Sequence, residues 1–179
     1  MVCPRCIETV EGIFDHLELE TSSITLGEVI TQQEISKDQK EKLNKKLSKR
    51  GFGLFEDNKS KLIGKIKTLV INSIYYQKEP LSINFSTYLS NQLHHDYSYL
   101  SRLFSSVEGI TIEKFLLSQK IEKVKELIFY DELTLSEIAF QMDYSSVAYL
   151  SSQFKKETGM TPTQFKKQKK PNRNHLDSL

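Results

Sequence analysis

Two segments near the C-terminal end of this sequence repeat one pattern. DYSYLSRLFSSVEGIT, which begins at Asp96, aligns with SSVAYLSSQFKKETGMT, which begins at Ser145. Identical residues occupy the pairs Tyr99/Tyr149, Leu100/Leu150, Ser101/Ser151, Phe104/Phe154, Gly109/Gly159 and Thr111/Thr161. An internal duplication of this kind predicts two copies of one structural unit with a common task.

Each copy follows a short helical pattern and a break. The first pattern is formed by Phe85, Tyr88, Leu89 and Leu93, and the second by Leu135, Ile138, Ala139 and Met142. The breaks are His94-His95 and Asp143-Tyr144, after which Asp96 and Ser145 are suited to be N-caps. Two short helices joined by a tight turn describe a helix-turn-helix, so the sequence predicts two of them, with the second helix of the second unit beginning at Ser146.

A long apolar-periodic segment separates the two units. Residues 112–130 predict one continuous helix that fixes the distance between the units. Its apolar residues are Phe115, Leu116, Ile121, Val124, Leu127 and Ile128. Residues 58–77 predict another helix. We interpret that one as a connector rather than a dimer seam, because it lacks sustained heptads.

The outward face of the last long helix is polar and basic. It carries Ser146, Tyr149, Ser152, Gln153, Lys155 and Lys156, groups that bond base edges and phosphates. The whole chain of 179 residues has a net charge of only +2, but seven basic residues and one acid lie between Lys155 and Arg173. A solvated tail would explain that run by itself, whereas its place beside a recognition helix favours phosphate contact.

These motifs together resemble the DNA-binding domain of the AraC/XylS family of bacterial transcription regulators. The similarity covers residues 81–168 and rests on SRLF, EIAFQMDYSS and FKKETGMTPTQFK. It departs from the family at Lys120, Val124 and Asp143, where Arg, Ala and Gly are usual. The resemblance implies an all-α domain that binds double-stranded DNA, with RNA polymerase as a further candidate partner.

The resemblance also assigns site residues. The first reading surface consists of Tyr97, Ser98, Ser101 and Arg102. The second consists of Ser146, Val147, Tyr149, Ser152 and Gln153. The residues expected to bind phosphates are Lys155, Lys156, Lys166 and Lys167. Arg102 is the strongest single candidate, because a guanidinium can take a guanine edge in two hydrogen bonds. Tyr99 and Tyr149 have an alternative role in packing beside the repeated Leu and Phe.

The N-terminal third has a different pattern. Cys3 and Cys6 precede a helical stripe that ends near Leu17, so both thiols are expected at a helix N-terminus, where partial positive charge favours thiolates. A hairpin with a turn at Gly27, a Lys-rich helix from Ser36 to Arg50, and a short strand at Phe52, Leu54 and Phe55 are expected to follow.

This order of elements over residues 1–56, with Met1, Cys3 and Cys6 matching an M-x-C-x-x-C loop, resembles the heavy-metal-associated domain. It implies a ferredoxin-like α+β fold that binds Cu(I) or another thiophilic ion through Cys3 and Cys6. That family has a strand before the loop, whereas this sequence begins at Met1, so either the strand is absent or the natural protein begins earlier. A vestigial cysteine pair and a thiol–disulfide role are alternatives, and a metallochaperone or metal sensor is the rival function for the chain.

Other classes lack their signatures. The sequence has no phosphate-binding loop and no Ser/His/acid arrangement, so we expect no enzyme and no required cofactor. Neither a membrane span nor a signal peptide is expected, which predicts a cytoplasmic protein, and the oligomeric state stays open. The predicted division is an α+β domain at 1–57, a connector at 58–79, a double helix-turn-helix domain at 80–170 and a tail at 171–179.

Overall fold

The computed structural model describes Met1 and residues 3–55, 57–77 and 83–167. Contacts between Cα atoms divide the chain into two compact units, Met1–Thr68 and Leu69–Leu179. The predicted domain start at Pro80 and the predicted tail at 171–179 lie outside the described residues. No helix in the described part is long and apolar enough to cross a membrane.

Residues 3–55 of the first unit contain two helices and a β-hairpin. Helix α1 spans Pro4–His16, strands β1 and β2 span Thr21–Thr25 and Glu28–Thr31, and helix α2 spans Lys37–Ser48. The strands are antiparallel, with Thr25 opposite Glu28 and Ile24 opposite Val29. Gly27 closes the turn at a φ of 82°, which confirms the predicted hairpin. The buried core of the unit consists of Val10, Ile13, Phe14, Leu19, Leu43 and Leu47.

The expectation of a ferredoxin-like sheet is not met in the described residues. They form one sheet, and it has two strands. Phe52, Leu54 and Phe55 were expected to form a strand, but these residues have no regular secondary structure and pair with no strand of the described residues. Phe52 instead packs its side chain on the core, and its amide donates to the Leu47 carbonyl at the end of α2. Side-chain packing here replaces the ladder of hydrogen bonds that the apolar pattern suggested.

Helix α3 spans Asn58–Tyr75, two residues shorter than predicted, and continues from the first unit into the second. The second unit then contains only helices among its described residues. They are α4 (Phe85–Leu93), α5 (Tyr97–Glu108), α6 (Ile112–Tyr130), α7 (Leu135–Gln141), α8 (Val147–Thr158) and α9 (Pro162–Lys167). The prediction of an all-α domain with a long central helix is therefore confirmed.

Helix α6 is the centre of this unit. It packs against α5, α7, α8 and α9, and its buried residues lie on several faces rather than along one stripe. A helix surrounded in this way loses the one-sided periodicity of a surface helix. Its second half shares a core with the second helix-turn-helix, formed by Ile121, Val124, Ile128, Ile138, Ala139, Met142, Leu150, Phe154 and Phe165.

Both turns use a left-handed residue other than glycine. His94 ends α4 at a φ of 54°, and Asp143 follows α7 at a φ of 55°. Histidine and aspartate tolerate this conformation better than most residues, which explains why a turn survives without the glycine that the resemblance would place at Asp143. The N-cap of α8 is Ser146, whose hydroxyl accepts from the Tyr149 amide, so the expected cap at Ser145 is wrong by one residue.

Candidate nucleic-acid interface

Helix α5 presents Ser98 and Arg102 to solvent one helical turn apart. The Nε of Arg102 donates to the Ser98 carbonyl at 3.2 Å, which lays the guanidinium along the helix surface. No described residue bonds to its terminal nitrogen atoms, so these donors can meet a base edge or a phosphate. Ser101 is half-buried beside them. The structure therefore places three of the four predicted residues of the first surface on one side of α5.

Tyr97, the fourth predicted residue, has another partner. Its hydroxyl donates to Oε1 of Glu113, in the first turn of α6. Burial, together with that hydrogen bond, raises the pKa of the Tyr97 hydroxyl, and the same bond holds the pKa of Glu113 below its usual value. Tyr97 thus joins α5 to α6 through the atom that would otherwise bond DNA.

Helix α8 exposes the larger polar surface. Ser146, Tyr149 and Ser152 are exposed, and Gln153 is half-buried, with its Nε2 donating to the Tyr149 hydroxyl at 3.3 Å. Val147 is partly buried against the core of the unit, so it can offer only part of its side chain to a ligand. The second predicted surface is therefore continuous, and Val147 lies at its inner edge.

The repeated tyrosines pack and remain accessible. The Tyr99 ring lies 5.3 Å from the His95 ring, and the Tyr149 ring lies 5.9 Å from the Tyr144 ring. In both helix-turn-helix motifs the tyrosine thus contacts an aromatic residue of the preceding turn. The exposed fractions of Tyr99 and Tyr149 are still 41% and 50%. Packing and contact with DNA are compatible roles for each.

The four lysines assigned to phosphates are all exposed, but they differ in their partners. No described residue forms an ion pair with Lys155 or Lys156, in the last turns of α8. Lys166 forms an ion pair with Asp131, at the C-terminal end of α6, so it would have to leave that carboxylate to meet a phosphate. Lys169, Lys170 and Arg173 of the basic run lie outside the described residues.

Comparisons with known proteins agree with this geometry. Residues 89–168 match the family described as "Helix-turn-helix domain". An uncharacterized HTH-type transcriptional regulator of Staphylococcus aureus (strain MSSA476) is 33% identical over 78 residues, which are 44% of this chain and 10% of that protein. The HTH-type transcriptional activator RhaR of Salmonella arizonae (strain ATCC BAA-731 / CDC346-86 / RSK2980) is 34% identical over 67 residues, 37% of this chain and 24% of RhaR.

A solved structure shares the fold. The C-terminal domain of AraT, a response regulator from Geobacillus stearothermophilus, is 23% identical with a TM-score of 0.53, and the match covers 67% of this chain and 98% of that domain. Residues 89–168 form a helix-turn-helix domain. The chain therefore carries the DNA-binding domain of a transcription regulator. It spans less than a quarter of the length of the two curated relatives.

One lysine of the helix-turn-helix domain bonds the backbone of the second turn. Lys120 on α6 donates from Nζ to the Met142 carbonyl at 3.1 Å, and the same Nζ lies 5.5 Å from the centre of the Tyr144 ring. Burial lowers the pKa of Lys120, although the nearby Asp143 carboxylate acts in the opposite direction. Lysine, which stands here where the resembling family usually has arginine, thus still bonds the turn.

A second lysine of the helix-turn-helix domain contacts α8. Lys114, in the first turn of α6, donates from Nζ to both carboxylate oxygens of Glu157 on α8, at 2.7 and 2.6 Å. Neither Lys114 nor Glu113 was among the residues predicted from the sequence. Their partners, Tyr97 and Glu157, lie far from them along the chain. The sequence shows that Lys114 and Glu157 have opposite charges, but it does not show that they are close in space.

The cysteines lie as predicted at the start of α1. Cys3 is the N-cap residue, and Cys6 is buried in the first turn. Their Sγ atoms are 3.0 Å apart, and neither cysteine is in a disulfide. Among the described residues no group of three or more His, Cys, Asp or Glu side chains could hold a metal ion together. The donor set therefore suits a soft ion held by two thiolates, and it does not suit a four-ligand zinc centre.

Proposed function

We propose that this chain is a sequence-specific transcription regulator that inserts α5 and α8 into two adjacent major-groove segments of B-DNA. The observation that carries the proposal is that α5 and α8 pack on the same central helix, α6, and expose polar side chains. Each of them also follows a tight turn that contains one residue in the left-handed conformation, His94 or Asp143. Successive major-groove segments on one side of B-DNA are about 34 Å apart, or one helical turn. A single chain with two recognition helices can occupy both.

The proposed base contacts are exposed or half-buried side chains on the outer faces of the two helices. On α5 they are Ser98, Ser101 and Arg102, and on α8 they are Ser146, Tyr149, Ser152 and Gln153. The terminal nitrogen atoms of Arg102 would donate hydrogen bonds to the O6 and N7 atoms of a guanine. Val147 and Tyr97 would act mainly by positioning the helices, because the first packs on the core and the second bonds Glu113.

Lys155 and Lys156 are proposed phosphate ligands, together with Lys167 and, after release from Asp131, Lys166. Contacts of this kind strengthen binding to any sequence and give it a dependence on salt. A regulator of this type would act on bacterial chromosomal DNA in the cytoplasm and would meet RNA polymerase at a promoter. The partnership with RNA polymerase is proposed from the family resemblance.

Selection of binding sites from random double-stranded DNA tests the proposal. We expect a site of two conserved segments whose centres are about 10 base pairs apart. Arg102→Ala should weaken binding by about 5- to 150-fold and relax the choice of base at one position. Arg102→Lys is the matched control, since it keeps the charge and the salt dependence but loses the paired hydrogen bonds. Unchanged selectivity in both variants would contradict the assignment of α5.

The first unit supports a second candidate function, in which it binds Cu(I) or another thiophilic ion. The observation in its favour is that the Cys3 and Cys6 sulfur atoms lie 3.0 Å apart at one helix N-terminus. Either a metal sensor that controls the DNA-binding domain or a metal-carrying module would use such a pair. Competition with a coloured Cu(I) chelator tests it, and Cys3→Ser and Cys6→Ser should each abolish binding. Equal metal uptake by the wild type and by the variant that combines Cys3→Ser with Cys6→Ser would show that the two cysteines do not bind the metal.

A further inference from the structure

Two neighbouring residues of α6 each hold one recognition helix. Glu113 and Lys114 are consecutive in the first turn of α6, and their side chains leave the helix about 100° apart. Glu113 accepts from the Tyr97 hydroxyl of α5, and Lys114 donates to Glu157 of α8. One turn of one helix is therefore tied to both DNA-reading elements at once.

The contact with α5 is made at its N-terminal end, which is the end farther along the chain from α6. Tyr97 is the first residue of α5, whereas the last residue of α5 joins α6 through the short segment 109–111. Gly109 in that segment is left-handed, at a φ of 71°, and a Cβ atom there would meet nothing within 4 Å. The junction itself is open to solvent, while Phe104 of α5 packs on Phe115 of α6 with ring centroids 5.6 Å apart. A bond from the far end of α5 therefore adds a second point of attachment, which restricts rotation of α5 about that packing contact.

The contact with α8 is made near its C-terminal end. Glu157 keeps only 12% of its side chain exposed, while that of Lys114 is 51% exposed. A carboxylate so little exposed is costly to leave without a partner, so Lys114 is held in place rather than free to reach DNA phosphates. The short N–O distances, to both oxygens, add direction to the charge attraction.

We propose that the Tyr97–Glu113 and Lys114–Glu157 contacts are positioning contacts that set the spacing between the two DNA segments that the domain accepts. The proposal rests on the proposed function, because spacing has meaning only if α5 and α8 both enter the major groove. The contacts lie outside the base-reading surfaces. Their loss is therefore expected to change how the two halves of a site combine and to leave each half recognised as before.

The test uses the full chain with the bipartite site selected from random DNA. Four duplexes are compared: the selected site, sites with a spacer one base pair shorter and one longer, and a site with one half scrambled. The wild type should prefer the selected spacing. Lys114→Met should bind the half-scrambled site like the wild type, lose about two- to fivefold on the selected site, and discriminate less between spacings.

Two further variants give the test its controls. Exchange of the charges, in Lys114→Glu combined with Glu157→Lys, should restore the spacing preference if the ion pair is what matters. Lys65→Met is the matched control, because Lys65 is similarly exposed, is also ion-paired, and contacts Glu28 in the first unit. It should bind all four duplexes like the wild type.

The possible failures can be told apart. If the wild type selects no bipartite site, the proposed function itself is wrong. If it selects one and Lys114→Met keeps the same spacing profile, the positioning role is wrong and the function stands. An equal loss on every duplex, with a smaller salt dependence and no rescue by the exchanged charges, would identify Lys114 as a phosphate ligand and also overturn the inference.

Discussion

Replacing Lys120 by methionine tests whether this half-buried lysine supports the second helix-turn-helix through its hydrogen bond or through its charge. Methionine has a similar length and keeps the packing beneath the turn. It removes the bond from Nζ to the Met142 carbonyl and the contact with the Tyr144 ring. Both contacts stabilise the residues that immediately precede α8.

The expected size of the effect follows from opposing contributions. A hydrogen bond from a charged donor contributes about 1.5 to 3 kcal/mol, and the contact of the ammonium with the ring about 0.5 to 1 kcal/mol. Burial of the charge opposes them, as the lowered pKa of Lys120 indicates. We therefore expect Lys120→Met to lower the free energy of unfolding of the second unit by about 1 to 2 kcal/mol at neutral pH.

The pH dependence gives the sharper result. Because the pKa of Lys120 is lower in the folded state, the unfolded chain binds more protons as the pH approaches the ordinary lysine value of 10.5. Stability from this residue therefore rises with pH in that range, and the difference between wild type and Lys120→Met should widen. Lys120→Arg is the control: it should keep the stability at neutral pH but show no alkaline gain, since arginine does not release its proton.

Urea unfolding followed by far-ultraviolet circular dichroism measures these differences, with the transition of each unit fitted separately. If Lys120→Met is as stable as the wild type at neutral pH, the bond to the turn contributes nothing. If the difference narrows as the pH rises, the charge rather than the hydrogen bond is the stabilising element.

Two other residues give simple tests. Asp143→Ala should destabilise the second unit by about 1 kcal/mol, because alanine tolerates the left-handed φ of 55° less well than aspartate, whereas Asp143→Gly should not; equal urea midpoints for the two variants would contradict the role of the backbone conformation. Tyr97→Phe should lower stability modestly above pH 4.5, the ordinary value for Glu113, and the difference should vanish as the pH falls through the lowered pKa of that carboxyl, because protonation removes the hydrogen-bonded carboxylate. Acid titrations of both proteins by circular dichroism measure this, and a difference that persists at acid pH would mean that the hydroxyl acts independently of the charge on Glu113.

The outline of the DNA-binding domain could be predicted from the sequence because it depends on local pattern. Apolar periodicity located α4 to α8 within a residue or two, and the duplicated segments identified α5 and α8 as equivalent helices. Side chains facing outward from a helix follow from the same periodicity. The exposed positions of Ser98, Arg102 and Ser152 were therefore also predictable.

The N-terminal third shows where local pattern is insufficient. Its helices and hairpin form as expected, since each depends on neighbours in sequence. The apolar residues Phe52, Leu54 and Phe55 also suit a strand, but a strand exists only where another backbone offers it hydrogen bonds. In the described residues that pairing is absent, and Phe52 packs on the core instead.

What sequence alone determined here is which segments are helices and which of their faces are polar, because these properties depend on residues within a few positions of one another. Tertiary structure alone decided that the Tyr97 hydroxyl is bound to Glu113, that Lys114 reaches Glu157, and that Lys120 supports the turn at Met142. Each of these contacts joins residues far apart in the chain. Their distance is set by how whole helices pack around α6, which no local pattern encodes.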